Sequence, residues 1–168
     1  LQSDIVETAN RIRSTLSFDI AARAGSRSFL EALRMMADAA DAAGILVMIN
    51  GVVGQNTHRA LDVSEFRGFA LSDDLAPLVF VNGTDTKSGQ MFTLAHELAH
   101  LWLGKSGISD LTPATSMAGL AQIEKWCNSV AAEVLVPLAE FHRVYRPLAD
   151  LDSEKRRLSR YFKVSTLV

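Results

Sequence analysis

The sequence predicts an α+β fold in which a small sheet packs against one buried helix and further helices surround both. Three observations lead there. Helical periodicity fills both ends of the chain, short β-rich segments are confined to residues 44–82, and one later segment is helical yet apolar on nearly every side. With 168 residues, 48% of them apolar, the chain can bury one substantial core. A single domain over 1–168 is expected, divided into N-terminal helices (1–43), a core of sheet and site (44–137) and a C-terminal helical element (138–168).

Each element has a local reason. Residues 3–16 place Ile5, Val6, Ala9, Ile12 and Leu16 at helical spacing, and residues 27–43 repeat the rhythm with Phe29, Leu30, Leu33, Met36, Ala37 and Ala40. Gly44 suits the left-handed cap that ends a helix. Ile45–Ile49, Phe66–Leu71 and Leu78–Val81 read as strands, separated by Gly, Asn, Asp and Pro. From Thr86 to Leu103 the chain is helical and apolar all round, so that helix is buried. Gly104–Gly119 reads as a loop, a helix follows over about 119–136 until Pro137 stops it, and two shorter helices complete the chain. Arg146–Asp152 could act as a hinge before the last of them.

Charge and cysteine usage exclude several classes. Seventeen Lys and Arg against nineteen Asp and Glu leave a formal charge of −2, which gives no overall field for gripping nucleic acid or acidic lipid. The apolar runs are far shorter than the roughly 20 residues of a membrane-spanning helix. Cys127 stands alone and no secretory signal is visible, which predicts a reducing cytoplasm. The chain opens on Leu1 and closes at Val168 inside an apolar pattern, so a fragment of a longer protein is expected.

Within the buried helix stands His96-Glu97-Leu98-Ala99-His100, an H-E-x-x-H pattern. Positions i and i+4 share one helix face, so both imidazoles can reach one Zn²⁺. Glu97 lies about 100° round from His96, near the metal but free to act as general base. A chain of this His and Glu content matches the pattern by chance only about 0.4% of the time. The competing reading, two satisfied core histidines, leaves three buried polar side chains to be satisfied without an ion.

Zinc needs a third protein ligand. The extended motif with a further Gly and His is absent, because Leu103 and Ser106 occupy those positions. Asp110, Glu124, Glu133 and His142 are the candidates. Nine residues at 100° each put Glu124 and Glu133 on opposite helix faces. Glu124 shares its face with Leu120, Cys127, Ala131 and Leu135, whereas Glu133 sits with Gln122, Trp126 and Ser129. A carboxylate on an apolar face needs a reason, and coordination supplies one. Hydrogen bonding to backbone is the alternative reason, while Glu133 reads as a solvated surface charge. Asn128, one turn on, could hydrogen-bond a ligating histidine. Cys127 reads as core packing, His58 as an exposed histidine in a polar turn, and His142 and Tyr145 as structural groups or donors to a developing oxyanion.

Phe80-Val81-Asn82-Gly83, the run Phe92-Thr93-Leu94-Ala95-His96-Glu97-Leu98-Ala99-His100, and Glu124-Lys125-Trp126-Cys127-Asn128-Ser129-Val130-Ala131-Ala132-Glu133-Val134-Leu135-Val136-Pro137 together resemble the ImmA/IrrE family of metallo-endopeptidases. The family's second motif reads approximately E-x-x-A-N-x-F-A-x-x-L-L-M-P. Cys127, Val130 and Val136 depart from it conservatively, leaving Glu124 and Asn128 in register. The resemblance spans most of residues 44–168, and residues 158–165 resemble the family's small C-terminal helical element. It implies a zincin-like fold and a cytoplasmic zinc endopeptidase with ligands His96, His100 and Glu124 and base Glu97. It also implies a partner repressor, of the helix-turn-helix type, cut in a stress or mobile-element response. Direct nucleic-acid binding and membrane association are not expected. The alternative is a catalytically silent sensor or antitoxin-like module, or a purely structural zinc site; neither needs a base beside an open coordination position. Substrate is expected to bind as an extra strand beside Leu78–Val81.

Overall fold

The computed structural model describes residues 2–54, 56–104 and 117–168. Three helices open the chain: α1 (Gln2–Thr15), α2 (Ile20–Ala24) and α3 (Phe29–Ala42). α1 buries Ala9 and Ile12, and α3 buries Leu33, Met36 and Ala40 on its inner face. Ser28 caps α3, its hydroxyl accepting from Glu31 N at 3.1 Å. Gly44 follows at φ +87° with open space around it, the left-handed position that ends this helix. The five-residue α2 was not legible in the sequence; Asp19 caps it by accepting from Ala21 N and Ala22 N.

Five strands follow: β1 (Leu46–Asn50), β2 (Val52–Val53), β3 (Asn56–Ala60), β4 (Gly68–Leu71) and β5 (Leu78–Asn82). They form a sheet in the order β1-β5-β4 and a separate β2–β3 pair. β1 runs parallel to β5 with Leu46 opposite Leu78, and β4 runs antiparallel with Gly68 opposite Val81. β5 is therefore flanked on both sides. This corrects the expectation of a substrate strand beside Leu78–Val81, because both edges of that strand already carry ladder bonds. His58 is exposed as expected but belongs to β3, not to a turn.

The remaining helices are α4 (Lys87–Trp102), α5 (Met117–Leu135), α6 (Leu138–Val144) and α7 (Leu151–Phe162). α4 lies against the sheet face formed by Ala70, Val79 and Val81, with α5, α3 and α1 around its other sides. Its Met91, Leu94, Ala95, Leu98 and Ala99 are all fully buried, which accounts for a helix without a polar face. Burial of each leucine contributes about 1.5–3 kcal/mol. A polar staple fixes its start: buried Gln90 donates to Gly83 O at 2.9 Å and Asp85 O at 2.5 Å, and Thr86 caps the first turn. Arg146, at the start of the expected hinge, is tied to α7. Arg146 N donates to the buried carboxylate of Glu154, and Arg157 bridges that carboxylate and Val144 O. Among the described residues no helix is long and apolar enough to cross a membrane.

Candidate metal centre

α4 and α5 cross so that three side chains meet. His96 Nε2 lies 3.2 Å from Glu124 Oε2, His100 Nε2 lies 3.2 Å from Glu124 Oε1, and the two Nε2 atoms are 3.1 Å apart. Among the described residues these three form the one group of His, Cys, Asp or Glu side chains whose donor atoms converge within 4.8 Å. His142 and Glu133 stand outside it, and Asp110 lies outside the described residues.

The convergence suits a bound cation. His96 Nδ1 is 3.0 Å from Asn128 Oδ1; an amide oxygen can only accept, so Nδ1 carries the proton and Nε2 presents its lone pair to the cluster. Burial, then the neighbouring His96, holds His100 below the usual imidazole range against the pull of Glu124, which disfavours a protonated histidine as the bridge. Tetrahedral zinc with ligands at about 2.0–2.1 Å places neighbouring donors about 3.3–3.4 Å apart, close to the separations seen. Two imidazoles and a carboxylate are a donor set that suits Zn²⁺ and leaves a fourth position open.

Glu97 sits beside the cluster, 7% exposed. Burial, then the negative charge of Glu124, pushes its carboxyl up to about 8. His96, Glu97, His100 and Glu124 share a cavity of about 450 Å³ with Phe66, Gly68 and Phe69. A second cavity of about 420 Å³ continues past Phe66 and Gly68 to Ser64, Glu65, Arg67, Phe92 and Asn128. Gly68 permits the close approach of β4 to α4: a Cβ there would stand 2.5 Å from Thr93 Cγ2 and 2.7 Å from Phe80 O.

Two readings of the neighbourhood change. Glu124 is 56% exposed, at the mouth of the cavity and not within an apolar seam. Glu133 is half-buried and accepts from Leu138 N at 3.2 Å, so it caps α6 and is not simply solvated. Cys127 is fully buried, and burial followed by Glu124 and Glu97 pushes its thiol up to about 12, which keeps it from ligating as thiolate. Tyr145 stacks on Phe141, with centroids 5.4 Å apart, and neither it nor His142 lines the two cavities. The aromatic wall at Phe66 and Phe69 was missed in the sequence. Its one signal was a glycine inside a strand pattern, which marks a close backbone approach.

The IrrE N-terminal-like domain family, peptidase M78, matches residues 40–168. The chain belongs to that family. Membership carries a metallopeptidase-type function, as expected for the ImmA/IrrE family, onto the fold and cluster described above. Comparison with curated proteins finds no significant match.

Proposed function

We propose that this chain is a zinc-dependent endopeptidase in which His96, His100 and Glu124 hold the metal and Glu97 is the general base. One observation carries the reading: three donor atoms converge at the mouth of a cavity whose wall contains a buried carboxylate that is not part of the converging set. Zn²⁺ held there supplies a Lewis acid that polarises the scissile carbonyl and lowers the pKa of water. Glu97 takes the proton of the attacking water on a carboxylate oxygen and passes it to the leaving amine nitrogen. Both causes that raise Glu97 are offset by positive charge among the ligands, which favours the ionised form a base needs. Asn128 keeps the His96 ring in the tautomer that presents Nε2.

β4 is the edge of its sheet among the described residues. Arg67 O accepts from Asn82 N at 2.7 Å, so by the alternation of an antiparallel ladder the backbone groups of Gly68 and Ala70 face outward. That edge borders the cavity and suits an extended peptide added as a further strand. The ImmA/IrrE resemblance favours a regulatory protein, a helix-turn-helix repressor, as substrate in a stress or mobile-element response, with the whole of 1–168 acting as one cytoplasmic unit. Glu97→Gln tests the mechanism: zinc content and fold persist while hydrolysis of a repressor encoded beside this protein falls about 10²–10⁴-fold. Parent-rate cleavage by Glu97→Gln would remove Glu97 from the chemistry. Zinc binding without any cleavage by the parent protein would favour a silent binding module.

A further inference from the structure

The cavity is polar on one side only. His96, Glu97, His100 and Glu124 form that side, and the facing wall is Phe66, Gly68 and Phe69. The two phenylalanines are backed by Phe80, which stacks on Phe69 at 5.2 Å and 7° and lies 6.0 Å from Phe66. Strand register extends this wall. With Gly68, Ala70, Val79 and Val81 directed at α4, the alternate residues Phe69, Leu71, Leu78, Phe80, Leu46 and Met48 share the opposite sheet face. Leu46, Met48 and Leu71 are 52%, 50% and 38% exposed on it. An apolar face that starts at Phe69 beside the cavity and continues across β5 to Leu46 and Met48 of β1 is an unusual thing to leave to water.

We propose that Phe69, supported by Phe66 and Phe80, selects the substrate: an extended segment with bulky apolar side chains at alternate positions, one of them beside the scissile bond. This rests on the endopeptidase reading. A peptide paired with the outward groups of Gly68 and Ala70 turns every second side chain toward Phe69 and Leu71, the two β4 residues on that face. A charged side chain set against the rings of Phe66 and Phe69 exchanges water for apolar carbon, whereas a leucine or phenylalanine gains about 1.5–3 kcal/mol on burial. That is a preference of roughly ten- to hundredfold.

Two measurements on the full chain separate this proposal from the activity it rests on. In the first, the zinc-loaded parent protein digests a mixture of randomised peptides blocked at both ends, and mass spectrometry reads the new termini. Apolar residues should dominate one position flanking the cut, and an even distribution overturns the selection. In the second, zinc-loaded Glu97→Gln binds a labelled peptide alternating threonine with leucine, or its counterpart with serine in place of leucine. The leucine peptide should bind at least about tenfold more tightly. Adding Phe69→Ser should reduce that ratio below about threefold at unchanged zinc content, and Phe69→Leu should restore it. Equal binding of the two peptides, or a ratio that survives Phe69→Ser, overturns the proposal. A leucine preference in binding with no cleavage by the parent protein overturns the endopeptidase reading and leaves the apolar selection standing.

Discussion

The two ends of α5 deal with charge in opposite ways. At its C-terminal end, the carbonyl of Glu133 accepts from Arg13 at 2.5 Å and that of Leu135 accepts from Arg23, so cations from α1 and α2 meet the negative end of the helix. Nearer its N-terminal end, Glu124 meets two imidazoles whose Nε2 atoms converge on it, with no Lys or Arg bonded to them among the described residues. Both places gather negative potential on the same helix. One is closed by this chain's own side chains and is structural, and the other is the group whose donor atoms could hold a metal ion.

The difference can be broken by mutation, first where the effect is largest. Glu124→Ala should lower zinc affinity by more than about 100-fold, because losing a group that merely hydrogen-bonds a ligand already costs about 10–100-fold. Asn128→Ala should show that smaller loss. Glu133→Ala should leave zinc affinity unchanged, since its carboxylate caps α6 on the far face. Competition with a chromogenic chelator measures all three, and equal losses for Glu124 and Glu133 would overturn the ligand set.

At the other end the expected response is in stability. Arg23 is fully buried, lies 5.2 Å over the Phe18 ring, and its Nε and Nη1 have no hydrogen-bond partner. Arg23→Ala removes packing and leaves Leu135 O without its donor, a loss of about 2 kcal/mol in urea unfolding. Arg23→Met keeps the volume and sheds a costly buried charge, so it should change stability by about 1 kcal/mol or less. Neither should alter zinc affinity, and a large metal effect from either would mean that the two ends of α5 are coupled.

The smallest effect lies further along the chain. Hydrogen bonds from Arg157 hold the buried Glu154 carboxyl down at about 2. A depressed folded-state value means stability that is fully present above the unfolded value of about 4.3 and is lost as pH falls toward about 2. Thermal unfolding between those pH values should fall less steeply for Glu154→Gln than for the parent protein. Identical slopes would show that this pair does not tie α7 down.

Local chemistry was legible in the sequence wherever a few neighbouring residues decide it. The i, i+4 spacing of His96 and His100 puts both rings on one face before any packing is known, Gly44 announces the end of α3, and the opposition of Glu124 to Glu133 follows from helical pitch alone. Partnerships across the chain were not legible. Arg13 reaches Glu133 over 120 residues and Arg23 reaches Leu135 over 112, and nothing in either local pattern names the other. Strand order is likewise a long-range property: Leu78–Val81 reads the same as an edge or a centre, and only the pairing of β1 and β4 on its two sides closes both edges. That arrangement transfers the open edge to Gly68–Leu71 and brings Phe66 and Phe69 to the wall facing the histidines. The sequence by itself determined the donors and their helical spacing, because bond geometry and helix pitch act over a few residues. Tertiary structure decided what stands opposite those donors, because side chains distant in sequence become neighbours only when burial of the apolar faces folds the chain back on itself.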